Sequence, residues 1–467
     1  MLLVERLYTQ YLNDKVNYDK IEKYYLGHSD AVENYVKTER SNLKVNLNYL
    51  KKFVKEETAY SVGNPVTYQT KDEDDTVIAD IDDVLENFKE NHDIDTFNAM
   101  VLYGIVYEVY YIDKLGELQA RYIKPTNGYH EEDSTGEITQ FIHVYRLKEY
   151  SESLMMYEMI TYIDLYSVDK IETYRLYNGT YTLMEEKPHY FGEIPVGIAK
   201  ISEDTWQDTL YADIKGIQDA LETNLSDISN EISDFRNAYM VLTGLAVEEE
   251  DVEKFKKNTI IEISDPEGRA EWLIKNINDN FIQNTINNLH EKLYEITSHI
   301  NHNDAQQMSN ASGVALRSRL IALMQRCSIN EGAFRELLKT RLRIMFVYLG
   351  ITKNVSYDWK SIDIRYTPKI PNDDTMMADI IAKLDGKLSA ETGLELLSFI
   401  EDGQAEYEKA QEEINSSMND FNLHEDETLE SEDEEDELDL EYDEEEEIIE
   451  VKKTKKDGVV DEPNWFF

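Results

Sequence analysis

His299 and His302 stand three residues apart, close enough on one helical turn to offer two imidazole donors to a metal ion. The chain supplies no cysteine pair and no obvious third ligand beside them. His290-Glu291 starts like the H-E-x-x-H pattern of zinc proteases, but no histidine follows at the next turn. Carboxylate pairs are everywhere: 96 of 467 residues are Asp or Glu, so a close pair singles out nothing as an acid–base site. No G-x-G-x-x-G and no G-x-S-x-G elbow occurs, and Gly386-Lys387 lacks both the upstream Gly and the following Ser or Thr of a phosphate loop. The chain is therefore not expected to be an enzyme, and neither metal nor cofactor is expected; the weight falls on a structural or binding role.

Charge narrows that role. Against the acids stand 47 Lys and Arg, a net charge of −49. From Glu425 to Glu450 there are 18 acids and no Lys or Arg; without them the remainder still carries 78 acids against 47 bases, or −31. Tight general binding of nucleic acid rests on Lys and Arg neutralising phosphates, so such a body is a poor gripper of DNA, although it can surround DNA without holding it. Cys327 is the sole cysteine, so no intramolecular disulfide forms. The start, MLLVERLYTQYLNDK, lacks the apolar core of a signal peptide, and no apolar run approaches the roughly 18 residues of a spanning helix. The protein is expected to be soluble, neither exported nor held in a membrane.

The elements that would carry function are long helices. The first 60 residues and Asp95 to Val106 read as helical; from about Tyr107 to residue 206, alternating Tyr, Ile and Val segments with turns such as Asn178-Gly179 read as antiparallel strands. Leu210, Ile214, Ile217, Leu221, Leu225, Ile228, Ile232 and Phe235 then repeat every three or four residues, the stripe of an amphipathic helix from about Asp208. Ile282, Ile286, Leu289, Leu293, Ile296 and Ile300 repeat the rhythm. Between them, TIIEIS, AEWLI and the turn signal Asp265-Pro266-Glu267-Gly268 predict a small strand-containing insert. A polar stretch, NHNDAQQMSNAS, follows, and Gly313 opens a third long helix to about Leu349. That helix carries Arg317, Arg319, Arg326, Arg335, Lys339, Arg341 and Arg343 against only Glu331 and Glu336, and is read as pairing with acidic neighbours in its own or the next subunit. A strand is expected at Ile362 to Tyr366, ahead of further helices from Asp374. The acidic end has too few apolar residues to offset chain entropy and is expected to be disordered. It closes on Lys452, Lys453, Lys455, Lys456 and Trp465-Phe466-Phe467, which would suit a short docking peptide.

In this order, several strings resemble the portal proteins of long-tailed bacteriophages. Asn310-Ala311-Ser312-Gly313-Val314-Ala315-Leu316 is similar to the family's N-A-S-G-x-A-L after the tunnel loop; Tyr103-Gly104, Tyr107-Glu108 and Tyr110 to its helix-to-strand step; and Asn64-Pro65-Val66 to its G-x-P-V turn. His189-Tyr190-Phe191-Gly192 and Glu193-Ile194-Pro195-Val196 resemble its approach to the first stem helix. Ser226-Asp227, Asn230-Glu231 and Asp234-Phe235-Arg236-Asn237-Ala238-Tyr239 resemble the stem itself, and Leu388-Ser389-Ala390-Glu391-Thr392 its S-x-E-T segment. The resemblance spans roughly residues 40 to 410.

It implies an α+β portal fold: an α/β wing (1–206 and 313–372), two stem helices (207–239 and 280–301), a small β-containing clip (240–279), a tunnel loop (302–312), a helical crown (373–423) and the acidic tail (424–467). It implies a ring of about twelve subunits at one capsid vertex of the virion, assembled in the host cytoplasm. DNA would pass without tight binding, and the partners would be a terminase packaging motor, a head-tail adaptor, and the major capsid and scaffolding proteins. Twelve helices at about 10 Å spacing close a circle of about 120 Å circumference, which leaves roughly 28 Å inside, enough for a duplex. His302, Asn303, Asp304, Gln306, Gln307, Ser309 and Asn310 would offer weak contacts from the tunnel loop. Asp213, Asp219, Glu222, Asp227, Glu231 and Asp234 are candidates for an acidic channel wall that repels phosphates within a Debye length of about 8 Å. Arg317, Arg319, Arg326, Arg335, Arg341 and Arg343 are candidates for subunit contacts. The competing expectation is a helical-hairpin adaptor or chaperone with an acidic tail.

Overall fold

The computed structural model describes residues 2–36, 42–71, 75–151, 155–235, 239–243, 269–273, 279–301, 313–367, 389–395, 406–407 and 409–411. The chain divides into a unit spanning Met1–Asp373 and a second spanning Asp374–Phe467. In the second, the described residues include one short helix, Ala390–Glu395; most of the expected crown, and the acidic tail with its aromatic end, lie outside the described residues.

The first unit is α+β. Helix α1 (Leu3–Tyr25) buries Val4, Leu7, Tyr11, Tyr18, Ile21 and Tyr24, the spacing of one helical face. The expected helical first 60 residues break after it. The short α2 (Asp30–Asn34), capped by Ser29 on Val32, leads to residues 42–48, which form neither helix nor strand, and then to α3 (Tyr49–Val62). Strand β1 (Thr67–Thr70) follows the Pro65-Val66 turn and pairs antiparallel with β12 (Ile362–Arg365), a long-range pairing that local alternation does not announce. Helices α4 (Asp75–Leu85) and α5 (His92–Tyr103) come next.

Gly104 ends α5 at φ +77°, where its N–H caps Met100 O at 2.8 Å. A Cβ there would meet the Thr205 carbonyl oxygen at 2.5 Å, so the Tyr-Gly step needs glycine both for its conformation and for close approach to the segment that enters the long helix. Strand β2 (Ile105–Ile112) starts at once, two residues earlier than the alternation suggests. It lies between β3 (Leu118–Ile123) and β9 (Val196–Lys200). A second, five-stranded antiparallel sheet runs in sequence order: β4 (Gly128–Glu132), β5 (Ile138–Ser151), β6 (Met156–Tyr166), β7 (Lys170–Tyr177) and β8 (Thr180–Pro188). The turn between β7 and β8 is the expected Asn178-Gly179, with both residues at positive φ.

The long helices follow as α6 (Leu210–Phe235), α7 (Asp279–Thr297) and α8 (Gly313–Thr352). Between α6 and α7, β10 (Tyr239–Thr243) pairs antiparallel with β11 (Arg269–Leu273); the TIIEIS run and its turn lie outside the described residues. One continuous core joins α1, α3, α5, the three-stranded sheet, α6, α7 and α8 around Phe53, Phe97, Tyr103, Phe141, Phe334 and Leu337. The first half of α1 closes a second cluster over the five-stranded sheet with Ile142, Val144, Ile163 and Leu165.

Candidate functional site

Helix α6, 26 residues and about 39 Å long, is the element around which the site is built. Its apolar stripe buries Leu210, Ile214 and Leu221, and it packs against α7 on one side. On another side it holds a strap of chain. Gln218, Glu222, Ser226 and Asn230, one helical turn apart, accept the backbone N–H groups of Leu50, Leu47, Val45 and Leu43 at 3.3, 3.0, 2.9 and 2.9 Å. Asn230 also donates to Leu43 O at 3.0 Å. The strap runs antiparallel to the helix, and from Leu43 to Leu47 the geometry explains the fit: two extended residues advance about 6.6 Å while four helical residues advance about 6 Å. The last donor, Leu50, lies three residues on, in the first turn of α3. All four side chains are buried; Glu222 is 1 % exposed and also accepts from Ser29 Oγ.

Further along the same flank, Tyr24 Oη donates to Asp219 at 2.9 Å, and Tyr35 Oη donates to Asp227 at 2.6 Å. Lys215 bridges Asp219 at 2.8 Å and Asp30 at 2.7 Å. Burial pulls its ammonium down, but these bonds outweigh it and hold the lysine well above its ordinary range. The expected acidic wall is therefore corrected: Glu222 is buried against the strap and cannot face a channel, and Asp219 is tied to Tyr24 and Lys215. Asp213 and Asp227 are exposed, Glu231 is partly exposed, and the side chain of Asp234 lies outside the described residues.

Where α3, α6, α7 and α8 meet, a buried polar cluster forms. Glu57 Oε1 lies 2.7 Å from Arg326 Nε, and Glu57 Oε2 accepts from Asn330 at 2.6 Å. Arg326 also reaches Asp213 at 3.3 Å. Burial pushes Glu57 up to about 6 despite the arginine, and it raises Asp213 too. His299 stacks on Phe53 with ring centroids 4.2 Å apart, its Nδ1 bonded to Thr297 O at 2.9 Å. Its Nε2 lies 3.8 Å from Glu57, and burial lowers the imidazole to about 3, so the ring is neutral. His299 is thus a packing residue just ahead of the expected tunnel loop. That loop, with His302, Asn303, Asp304, Gln306, Gln307, Ser309 and Asn310, lies outside the described residues. Among the described residues no three His, Cys, Asp or Glu gather as a metal site, and no helix is long and apolar enough to cross a membrane.

Helix α8 pairs Arg326, Arg341 and Arg343 with acids of the same subunit. Arg341, fully buried, grips Glu108 through Nε and Nη2, both at 2.9 Å, and Asp93 at 2.6 Å. Burial would raise Glu108, but Arg341 and His92 carry it down to about 2. The expectation that Arg341 contacts a neighbouring subunit is corrected accordingly. Arg343 pairs with Glu193 at 3.0 Å, Arg326 with Glu57 and Asp213, and Arg335 lies over the Tyr366 ring. The side chains of Arg317 and Arg319 lie outside the described residues. Cys327 is buried, its thiol pushed up to about 12.

Several quoted strings now have physical roles. Gly104 is the cap, Glu108 the partner of Arg341, Glu193 the partner of Arg343, and Ser226 and Asn230 the strap's acceptors. The strap itself escaped the sequence reading. Its one signal was polar residues at four-residue spacing beside the apolar stripe of α6.

An α+β body that feeds two long helices, bracketing a small strand pair and leading to a third long helix, is the order expected of a portal subunit. The family model for "Phage portal protein, SPP1 Gp6-like" matches residues 4–420, and the chain belongs to that family. It is 22% identical over 413 residues to the portal protein of Bacillus phage SPP1, covering 85% of this chain and 81% of that protein. Looser likenesses are to chains in the virion of a native gene transfer agent particle (10% identity, TM-score 0.43, 81% of this chain and 92% of that one) and in the neck of the native particle computed with C12 symmetry (9%, 0.41, 75% and 88%).

Proposed function

We propose that the chain works as a closed ring of about twelve copies at one capsid vertex, through which double-stranded DNA enters during packaging and leaves during ejection. The observation that carries this is the family match over residues 4–420, together with the long-helix hairpin it covers. It also removes the adaptor or chaperone as a competing reading. In this reading α6 and α7 form the stem and β10 and β11 belong to the clip that meets a head-tail adaptor. Residues 302–312 are the tunnel loop, a terminase motor docks during assembly in the host cytoplasm, and the major capsid and scaffolding proteins surround the wing. The −31 body keeps duplex from sticking, and the exposed stem acid Asp227 adds to that field, whereas Asp213 is offset by its pairing with Arg326. Arg335, half-exposed beside Tyr366, and the first turns of α8 with Arg317 and Arg319 remain the basic candidates for contacts between copies.

The test is light scattering with negative-stain imaging of the purified chain. Particles many times 54.6 kDa with a central hole are expected; a species that stays at 54.6 kDa and shows no ring under packaging conditions would rule the reading out.

A further inference from the structure

Helix α7 presents a face unlike any other long helix of the chain. From Asn280 to His290 there are eleven consecutive residues without Asp, Glu, Lys or Arg, in a protein where 31% of residues are charged. The exposed polar positions of that stretch are all amides, Asn280, Gln283, Asn284, Asn287 and Asn288, at the three- and four-residue spacing of one helix face, with exposed Phe281 at its edge and Glu291 ending it one turn on. Gln283 donates to Asn287 at 2.9 Å along the helix. The opposite face, through half-buried Ile286 and Leu289 and buried Leu293, belongs to the core. Asparagine is among the poorer helix formers, while Glu, Lys and Arg are better and suit solvent equally well. Helix stability and solubility thus do not account for four of them on one exposed face. The amide face lies on the stretch of α7 that follows the clip strands, and α7 itself runs on toward the tunnel loop. Helix α6 offers no such amide run: it is covered by the strap and by α7, and its exposed described residues are Ala212, Asp213, Gly216, Thr223, Asp227 and Ile232.

Resting on the portal reading above, we propose that the amide face of α7 is the surface along which the duplex slides. A lysine or arginine there would release counterions on meeting a phosphate and so bind; a carboxylate would push the backbone away. An amide does neither. It exchanges one neutral hydrogen bond, to water or to a phosphate oxygen, for another of similar strength, so the duplex moves past a wetted wall with little gain or loss at each step. Because phosphates rather than base edges are met, the contact is blind to sequence.

Two measurements test this in particles whose wild-type ring packages DNA. The triple variant Asn284→Lys, Asn287→Lys, Asn288→Lys is expected to form rings and to package several-fold more slowly, with the defect shrinking as salt rises from about 50 to 200 mM. The matching triple Asn→Gln variant should package at the wild-type rate. In particles stalled part-way, Asn287→Cys carrying a thiol-linked photocrosslinker should label the DNA, whereas Lys114→Cys, exposed on the β2–β3 turn, should not; the native Cys327 is buried and stays unlabelled. Wild-type packaging speed in the lysine variant at every salt, or equal labelling from both positions, would refute the sliding face. Loss of rings in the lysine variant with rings retained by the glutamine variant would assign the face to contacts between copies and also overturn it. If wild-type rings pass no DNA at all, the portal reading itself fails instead.

Discussion

Arg341 shows how a single residue ties distant parts of this chain together. It brings α8 to β2 and α5 through a two-pronged bond to Glu108, out of water, and a third contact to the partly exposed Asp93. Truncation leaves Glu108 buried without its counter-charge, so Arg341→Ala should lose about 3–5 kcal/mol in chemical denaturation. The double variant Glu108→Gln, Arg341→Met should lose less than Arg341→Ala alone. The pH signs at two buried acids are opposite. Glu108 is held down to about 2 from an ordinary 4.5, so its stabilisation is present above pH 4.5 and fades as pH falls toward 2. Glu57 is pushed up to about 6, so its contribution is present below pH 4.5 and lost as pH rises through 6. Denaturation midpoints across pH 2–7 check both: Glu108→Gln should flatten the acid limb, and Glu57→Gln should remove a loss between pH 4.5 and 6. Neither role was legible beforehand. A lone Glu in the strand YEVYYID, and an Arg next to the apolar run that ends α8, hinted at burial, but only the fold says that they meet.

At the scale of elements, α6, α7 and α8 were legible because their apolar residues recur at helical spacing, a signal carried by each helix alone. The strap and the β1–β12 pair were not, since backbone N–H groups received by distant side chains leave no periodicity in the strap's own residues. Removing one receiver strands a backbone donor at the helix surface. Ser226→Ala or Asn230→Ala should each cost about 1–3 kcal/mol and speed amide exchange at Val45 or Leu43, as read by hydrogen-exchange mass spectrometry. Uniform exchange in wild type and variants would show that the strap is not held in this way. Gly104→Ala places a Cβ against the Thr205 carbonyl in a left-handed conformation, and should lower the melting temperature by several degrees.

For the whole molecule, net charge first reads as an argument against DNA as a partner; under the function proposed above it argues only against gripping DNA. The isolated ring should therefore show no tight duplex binding at about 150 mM salt, and its weak binding should change little with salt compared with a basic DNA-binding protein. A steep salt slope in an anisotropy titration would mean that a cationic surface governs the contact. Portal identity was legible through ordered strings, each short and none sufficient alone. The use made of the stem acids was not, because sequence places a carboxylate on a helix without saying whether solvent or a neighbouring backbone takes that face.

The strap has a mechanical consequence. Four bonds one turn apart on α6, three to an extended chain that runs the other way and one to the first turn of α3, respond differently to different pulls. A force along the stem axis loads all four in shear, and they must yield together. A force that lifts one end of the strap away from the helix breaks them in turn, like a peeled tape. Helix α6 is thus braced by the N-terminal body against loads along its axis, and remains easy to release sideways.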